Sequence, residues 1–289
     1  MLSPDRIVSL CESSAPKLER MRQLVRGYQS ALVAFSAGVD STLVLKIAAD
    51  ELGDRALALT AISASMAPEE QTEARALAGS LGVTLITVSS EEIANPQYAA
   101  NPQNRCYFCK TELYTLCGHK RAELGVDVIF DGFNADDFKD HRPGRQAAEE
   151  HQILSPLAVA GLTKDEIRAW SHRLGLPTWN KPQMACLASR IPYGTSVTSD
   201  RLLQLGRAES ELRRLGFKSF RVRYHGEIAR LEISAEEYGR ILEPGLRREV
   251  DASLKAQGFK FVAVDLEPFR SGRMNDGLAH KALSLPVVQ

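Results

Sequence analysis

The chain has 289 residues, of which 44% are hydrophobic and 25% are charged. This composition is typical of a folded globular protein and excludes a disordered acidic or basic tail protein. The 36 lysines and arginines balance the 36 aspartates and glutamates, and this zero net charge argues against a chain whose whole surface binds nucleic acid. Because the sequence has neither an apolar run of about 18 residues nor a basic-then-apolar N-terminus, we expect no membrane span, no secretory signal and a cytoplasmic location.

The first two thirds of the chain alternate amphipathic segments with short apolar runs. A helix is predicted over 4–28, with Pro16 as a point where it could break. Strands are predicted over 31–35, 55–63, 83–88 and 126–132, and helices over 42–53, 68–82, 109–125 and 163–175. Thr163 and Glu166 form the capping-box pattern at the start of the last of these helices. Such alternation predicts an α/β fold with a parallel sheet covered by helices on both faces.

The pattern changes near residue 195. A helix over 201–216 precedes two strands, 220–226 and 227–233, that read as a hairpin. Helical residues then run to about 257, and a strand is predicted over 259–267. We therefore expect two domains, an α/β domain over 1–181 and a smaller α+β domain over 200–289, joined by an interdomain loop over 182–199.

The turn between the first predicted strand and the next helix has the composition of a phosphate site. Its small residues let a ligand approach the backbone, and the helix start offers free N–H groups and the positive end of the helix dipole. In open parallel sheets ligands bind at the carboxyl ends of the strands, where this turn lies. Composition alone leaves an ordinary capped loop as an equal alternative. The candidate binding residues are Ser36, Gly38, Asp40, Ser41 and Thr42.

The order of residues in this turn resembles the pyrophosphate loop, Ser-Gly-Gly-x-Asp-Ser, of ATP pyrophosphatases, which split ATP into AMP and pyrophosphate. The chain contains neither of the other common phosphate-loop patterns. The resemblance implies that ATP and Mg²⁺ bind here, with Asp40 near the metal. Ala37 replaces the first glycine of the pattern, and a positive φ at this position would strain an alanine by about 1 kcal/mol.

The cysteines suggest thiol chemistry or a metal rather than disulfides, because five is an odd number in a chain without an export signal. Cys106 and Cys109 form a Cys-x-x-Cys unit at a helix start, where thiolates are favoured. Two such thiolates can hold a metal, form a redox pair or have no special role. With Cys186 from the predicted loop, three thiolates could hold a 4Fe-4S cluster with one iron open, whereas structural zinc would need a fourth ligand. Cys11 and Cys117 are interpreted as buried helix residues.

Seven segments, in chain order, together resemble the LarE family of ATP-dependent sulfurtransferases: FSAGVDSTLVLK, NRCYFCK, DGFNADD, RPGRQAA, SPL, LTKDEIR and CLASRIPYG. The resemblance covers nearly the whole chain and implies a PP-loop ATP pyrophosphatase domain (adenine nucleotide alpha hydrolase-like). It implies that ATP adenylates a carboxylate of pyridinium-3,5-biscarboxylic acid mononucleotide and that sulfur then displaces AMP. The product would be a thiocarboxylate for the nickel pincer cofactor of lactate racemase. The implied partners are other enzymes of that pathway and further copies of the chain, without nucleic acid.

Members of this family differ in their sulfur source. Some carry a single cysteine at the position of Cys186 and sacrifice its sulfur. Others carry three cysteines and resemble cluster-dependent tRNA thiolases, in which an extra sulfide on a 4Fe-4S cluster is the donor. The presence of Cys106, Cys109 and Cys186 favours the cluster mechanism for this chain, with sacrifice of Cys186 as the alternative.

Two further groups of residues are candidates for binding. By resemblance, the polar turn after the strand at 126–132 borders the AMP site, although a solvated acidic turn is an equal alternative. Lys110 and Arg190 could bind phosphate or the second carboxylate of the substrate, and an exposed cation is the alternative for each. Arg221 and Arg223 alternate on a predicted strand and so share one face. By resemblance they hold the substrate's phosphate, and a solvated strand face is the equal alternative. The turn residues are Asp131, Gly132, Asn134, Asp136 and Asp137.

Three rival functions share some of these features. A tRNA thiolase would have the same loop and cluster, but the neutral charge and the lack of an appended basic or zinc-ribbon module argue against it. An amide-forming enzyme of the asparagine- or NAD-synthase type would need no cysteine. A nucleotide-binding module without activity would release no AMP or pyrophosphate.

Overall fold

The computed structural model describes residues 2–138, 143–182 and 185–270. The chain divides into two compact units, residues 1–184 and 185–289. This division falls inside the predicted interdomain loop over 182–199, so the segment that begins with Ala185 and contains Cys186 belongs to the second unit.

The first unit is built on a four-stranded parallel sheet. Its strands are β1 (Ala31–Ala34), β2 (Ala56–Ile62), β3 (Thr84–Ser89) and β4 (Val128–Phe130), in the spatial order β3-β2-β1-β4. All four residues of β1 are buried, as expected for a central parallel strand with both faces covered. The chain leaves β1 toward β2 on one side and returns to β4 on the other, so the carboxyl end of β1 is a topological switch point, the usual place for a ligand.

Helices cover both faces of this sheet, and the apolar side chains form a core on each side. Val33 packs in one core, together with Met21 and Leu43, whereas Leu32 packs in the other, together with Tyr114 and Cys117. The helices of the unit are α1 (Pro4–Arg26), α2 (Val39–Leu52), α3 (Pro68–Ser80), α4 (Pro96–Ala99), α5 (Arg105–Leu124), α6 (Pro143–Glu150), α7 (Pro156–Ala160) and α8 (Lys164–Arg173).

The first and last of these helices test two expectations, a break in α1 at Pro16 and a capping box at the start of α8. The expected break at Pro16 is absent, because α1 continues through it. Pro16 is exposed, so the helix carbonyl that it leaves without an amide partner lies on the solvent side of α1. The capping box at α8 is confirmed, since the Thr163 amide donates to a carboxylate oxygen of Glu166 at 2.8 Å.

The second unit is a small α+β fold. The predicted hairpin is confirmed as β5 (Phe220–His225) paired antiparallel with β6 (Ile228–Ile233), and β7 (Phe261–Val264) runs parallel to β6. Helix α9 (Ser199–Arg214) precedes β5 in sequence, and helix α10 (Pro244–Ala256) lies between β6 and β7. Between β6 and α10 the predicted helical run is interrupted: a 3-10 turn precedes Pro244, which starts α10 at the position where proline is favoured.

Among the described residues, no helix combines the length and the apolar character needed to cross a membrane.

Candidate active site

The phosphate-loop candidate lies between β1 and α2, at the carboxyl edge of the sheet. Helix α2 begins at Val39, three residues before the predicted start, and Gly38 is its N-cap. Asp40, Ser41 and Thr42 therefore belong to the first helical turn rather than to the loop before it. Because amides of a first turn have no partner within the helix, this start directs N–H groups toward the carboxyl edge of β1.

Ala37 forms the sharp bend of this loop. Its φ is +54°, in the left-handed region that glycine usually occupies, and its side chain is fully buried. The structure thus confirms that this position needs a positive φ. The Ala37 carbonyl accepts a hydrogen bond from the Lys181 ammonium at 3.0 Å, and the same ammonium lies 2.6 Å from a carboxylate oxygen of Glu73. Lys181 therefore supports the strained bend from outside the loop.

Hydroxyl groups line the loop. The Ser36 and Ser41 hydroxyl oxygens are 3.1 Å apart, and the Ser36 amide donates to Ser41 Oγ at 3.3 Å. Ser36 is exposed, whereas Ser41 and Thr42 are buried. The Thr42 hydroxyl has no hydrogen-bond partner in the described part of the chain. A buried hydroxyl without a partner is costly, so the first turn of α2 keeps a polar group available for a ligand.

Asp40 is the centre of a network that joins three segments of the first unit. One carboxylate oxygen lies 2.5 Å from the Lys164 ammonium, and the other accepts from the Asn134 side-chain amide at 3.3 Å. The Lys164 backbone amide donates to Asp136 at 2.8 Å, and the Asp136 amide donates to the Asn134 side-chain oxygen at 2.9 Å. The loop, the polar turn after β4 and the start of α8 thus meet at one carboxylate.

The polar turn after β4 packs closely against α2. A Cβ atom at Gly132 would lie 3.0 Å from the Ser41 amide nitrogen, so only glycine permits this approach without a shift. Asp137 accepts from the Asn134 backbone amide at 3.0 Å and so shapes the turn. Of the predicted turn residues, Asn134 and Asp136 join the network at Asp40, whereas Asp131 does not.

Asp131 lies beneath the turn and is almost fully buried. Its oxygens accept from the Tyr114 hydroxyl at 2.8 Å, the Ser155 hydroxyl at 2.6 Å and the Phe133 amide at 3.2 Å. Burial raises the pKa of this carboxyl above its ordinary value, although these donors and the positive charge of Lys110 oppose the rise. Asp131 therefore fixes the end of β4 from within the core.

The donor set at the loop suits a hard cation. Mg²⁺ prefers oxygen ligands, and it commonly uses one or two protein carboxylates together with the phosphates of a nucleotide. Asp40 supplies a carboxylate that is partly exposed, and Thr42 supplies a buried hydroxyl without a partner among the described residues. These groups fit magnesium bound with a nucleotide.

Two lysines at the loop were not among the sequence candidates. Lys164 contacts Asp40, and Lys181 contacts Ala37. Arg168, one turn beyond Lys164 on α8, donates to the carbonyls of Trp179 and Lys181, each at 2.8 Å. Helix α8 therefore reaches the phosphate loop twice, directly through Lys164 and through the segment that Arg168 holds. Lys164 and Arg168 both lie in LTKDEIR, one of the segments that carry the family resemblance. Its capping pattern was interpreted only as the start of a helix.

The cysteines separate into accessible and buried groups. Cys106 and Cys186 are exposed and Cys109 is half-buried, whereas Cys11 and Cys117 are buried, as predicted. Burial raises the pKa of the Cys117 thiol to about 12, which keeps it protonated at neutral pH. The structural candidates for sulfur chemistry are thus the same three that the sequence selects.

Helix α5 carries two of these thiols in its first turn. It begins at Arg105, four residues before the predicted start, so Cys106 and Cys109 are neighbours at positions i and i+3. The Lys110 ammonium lies 5.6 Å from the ring centre of Tyr114 and 5.8 Å from that of Phe133. Within the described residues, no group of three or more His, Cys, Asp or Glu side chains is close enough to hold a metal.

In the second unit, Arg190 is paired rather than exposed. Its guanidinium makes a two-point contact with Glu209, at 2.8 and 2.9 Å, and both side chains are almost fully buried. The guanidinium also donates to the carbonyls of Ala185 and Cys186, the latter at 3.0 Å. Burial raises the pKa of Glu209, but the positive charges of Arg190 and Arg221 outweigh it, so the pKa lies below its ordinary value. Arg190 thus holds the backbone that carries Cys186.

Arg221 and Arg223 lie on the same face of β5, as predicted, beside further charges. Arg223 donates to Glu232 at 2.7 Å and to the Ser189 carbonyl at 2.8 Å, and its buried Nε has no partner in the described part of the chain. Burial, with the positive charges of Arg190 and Arg223, lowers the pKa of Arg221 to about 10. An anion beside Arg221 would relieve this repulsion.

Comparisons with known proteins cover most of the chain, although no protein-family model matches it. It is 45% identical to the uncharacterized protein slr1717 of Synechocystis over 259 residues, which are 90% of this chain and 97% of that protein. It is 37% identical to the pyridinium-3,5-bisthiocarboxylic acid mononucleotide synthase of Lactiplantibacillus plantarum over 271 residues, 93% of this chain and 98% of the synthase. It is 27% identical over 240 residues to the uncharacterized protein MJ0830 of Methanocaldococcus jannaschii, 83% of this chain and 90% of that protein.

Proposed function

Since the chain belongs to the LarE family, we propose that it uses ATP to convert a carboxylate of pyridinium-3,5-biscarboxylic acid mononucleotide into a thiocarboxylate. The observation that carries this proposal is the phosphate loop at the switch point of the parallel sheet. There a buried Ala37 with positive φ, two facing serine hydroxyls and the start of α2 form a site suited to pyrophosphate. The thiocarboxylate would serve the biosynthesis of the nickel pincer cofactor of lactate racemase.

The first step of the proposed reaction is adenylation. A carboxylate oxygen of the substrate attacks the α-phosphorus of ATP, the bond to the β-phosphate oxygen breaks, and pyrophosphate leaves. The amides of the α2 start, with the Ser36 and Ser41 hydroxyls, would hold the leaving pyrophosphate and stabilise its developing charge. Asp40 would hold the magnesium, which neutralises phosphate charge when it is bound. The acyl-adenylate then has AMP as a good leaving group.

The second unit would bind the rest of the substrate. Arg221 and Arg223 share one face of β5, and the repulsion that lowers the pKa of Arg221 favours an anion beside it. We assign the phosphate of the pyridinium mononucleotide to this pair. Arg190 is engaged with Glu209 and with the Cys186 carbonyl, and its role would be to orient that segment.

The sulfur would come from a site made by three thiols. Cys106 and Cys109 fit a metal-sulfur cluster because both lie in the first turn of α5 and neither is buried, and the exposed Cys186 would be the third ligand. A 4Fe-4S cluster held there would supply an extra sulfide as nucleophile, and external sulfide would replace the one transferred, so the protein itself need not be consumed. The alternative is that Cys186 gives up its own sulfur and each chain acts once.

The activity is tested by incubating the purified protein with Mg²⁺, ATP and the pyridinium substrate. Pyrophosphate should form only when the substrate is present, AMP should appear in equal amount once a sulfur source displaces it from the acyl-adenylate, and the Ser41→Ala variant should form far less of both. If ATP is not cleaved with this substrate under any condition of sulfur supply, the proposed function is wrong. Cleavage with bulk tRNA instead would favour the thiolase alternative.

The sulfur source is tested by iron and acid-labile sulfide analysis of protein purified without oxygen. About four irons per chain, lost in Cys106→Ala, would support a cluster enzyme that turns over repeatedly when sulfide is supplied. No iron after anaerobic reconstitution, with conversion of Cys186 to dehydroalanine (loss of the elements of hydrogen sulfide) after one turnover, would establish the sacrificial alternative.

A further inference from the structure

Both carboxylate oxygens of Asp40 are already engaged within the protein. The Lys164 ammonium lies 2.5 Å from one oxygen, and the Asn134 side-chain amide contacts the other at 3.3 Å. The lysine contact is a charge-assisted hydrogen bond, and the partners are only 31% and 22% exposed. A divalent cation that binds Asp40 would therefore compete with this ammonium group for the carboxylate charge.

Lys164 is anchored by its backbone while its ammonium can move. It is the first residue of α8, and its amide donates to Asp136 at 2.8 Å. Asp136 in turn is bound to Asn134, the second partner of Asp40. The backbone of Lys164 therefore stays beside the loop when the ammonium leaves the carboxylate, and its long side chain keeps the charge within reach of a phosphate held there.

We propose that Lys164 is the exchangeable counter-ion of the phosphate loop. It competes with the divalent cation for Asp40, and after displacement its ammonium contacts the phosphate chain of the nucleotide. This inference rests on the proposed function only in taking ATP as the nucleotide. Lys164 is thus a positioning residue for the metal and a binding residue for phosphate.

The proposal requires opposite effects of one substitution on two ligands. Loss of the ammonium removes a competitor and a nearby positive charge, so a divalent cation alone should bind Asp40 at least about tenfold more tightly. Loss of the same ammonium removes a phosphate contact, so a nucleotide should bind about tenfold more weakly. A lysine with only a structural role would weaken both ligands or neither.

The experiment uses Mn²⁺ as the probe, with the full chain and variants whose folding is checked by circular dichroism. Free Mn²⁺ is measured by electron paramagnetic resonance, first without nucleotide. Lys164→Met should bind Mn²⁺ at least about tenfold more tightly than the unsubstituted chain, and Asp40→Asn should lose the site. Lys46→Met is the matched control, because Lys46 lies on the same helix as Asp40 but pairs with Asp50 at 2.6 Å. Its effect should stay below about twofold, since distant exposed charges are screened by salt.

Calorimetry with α,β-methylene-ATP at saturating Mg²⁺ provides the second readout. Lys164→Met should weaken nucleotide binding about tenfold, and Lys164→Arg should restore most of it because the charge is retained. If Lys164→Met misfolds, Lys164→Gln takes its place in both titrations. Unchanged or weaker Mn²⁺ binding in a folded variant overturns the proposal, as does unchanged nucleotide binding. Neither titration uses the pyridinium substrate, so the proposed function can fail while this inference stands.

Discussion

The two units present charge to a ligand in different ways. In the first unit, the phosphate loop offers main-chain amides and hydroxyls, its strained alanine is held from outside by Lys181, and Lys164 pairs with Asp40. In the second unit, arginines on β5 and in the Cys186 segment are buried beside carboxylates that partly neutralise them. The proposed phosphate site of the first unit therefore depends mainly on backbone geometry, and the proposed anion site of the second unit depends on side chains kept charged in the interior.

This difference separates stability from function. A buried ion pair is costly to break because removal of one partner leaves the other charge uncompensated in the interior. A hydroxyl on a phosphate loop contributes little to folding, but its contact with a charged ligand is strong. Substitutions in the second unit should therefore act first on folding, and substitutions in the loop should act first on nucleotide binding.

The largest expected effect is that of Glu209→Ala. Glu209 is buried and paired with Arg190, so its loss should lower the free energy of unfolding of the second unit by about 3–5 kcal/mol. Both tryptophans, Trp170 and Trp179, lie in the first unit, so urea unfolding followed by circular dichroism should shift while the fluorescence transition stays in place.

Glu211→Ala is the matched control for this substitution. Glu211 lies on the same helix and pairs with the largely exposed Arg214 at 2.8 Å, so its loss should cost below about 1 kcal/mol. If Glu209→Ala shifted the circular dichroism transition no further than Glu211→Ala, the buried ion pair would not stabilise the second unit as expected.

Ser41→Ala should affect nucleotide binding far more than folding. Its hydroxyl joins the two ends of the loop, and loss of a hydrogen bond to a charged phosphate corresponds to about 1.5–3 kcal/mol, or roughly 10- to 100-fold in KM for ATP. Steady-state pyrophosphate release measures this, and Ser80→Ala, which removes a hydroxyl from α3, should change nothing. A large loss of stability with an unchanged KM would contradict this prediction, because the loop residue would then act on folding, as expected for the second unit.

Ala37→Gly should have a smaller effect, of opposite sign to most substitutions. Glycine takes φ of +54° without strain, so the free energy of unfolding of the first unit should rise by up to about 1 kcal/mol. Urea unfolding followed by tryptophan fluorescence measures it. Ala49→Gly, inside α2, should lower the same quantity by about 1 kcal/mol. If both variants lose stability equally, the bend at Ala37 is not strained.

Asp131→Asn should have the smallest effect, and this effect is a change in how the free energy of unfolding depends on pH. Burial raises the pKa of Asp131, so the folded state binds the proton more tightly than the unfolded state. The stability that this group contributes is complete below the unfolded pKa of about 3.9 and is lost as pH rises through the folded pKa. Asparagine does not titrate, so its stability relative to aspartate should improve from about pH 4 to pH 7. A difference that is flat or falls with pH would contradict the direction of the shift.

Much of the fold could be predicted because its signals are local. Apolar runs marked β1 to β4, and the capping pattern at Thr163 marked the start of α8. The starts of α2 and α5 were placed too late, since the first turn of α2 was interpreted as part of the loop and that of α5 holds the Cys-x-x-Cys unit, which was treated separately from the helix. In α2 the start is set by the bend at Ala37 and the cap at Gly38, which only the folded loop defines.

The site was predictable in its residue types but not in its charge pairs. The order of residues in the loop indicated the phosphate site, and the accessible cysteines were identified correctly. Lys164 was missed because its partner, Asp40, lies 124 residues away, and Arg190 read as a free cation because Glu209 lies 19 residues away. Ion pairs between residues so far apart in sequence depend on the topology of the fold, which cannot be read from a single sequence.

The contacts of Lys181 have a consequence for how such proteins are assembled from modules. Arg168 binds its carbonyl, and its ammonium binds the bend of the phosphate loop. The residues after α8 thus support the loop that is proposed to bind the nucleotide, and they are more than a passive connection. A domain fused after Lys181 would leave the contact between Lys181 and Ala37 in place. A domain fused directly after α8 would replace Lys181 and so remove this support of the loop. The boundary at which a new domain could be attached without loss of this support therefore lies after Lys181, beyond the last helix of the unit.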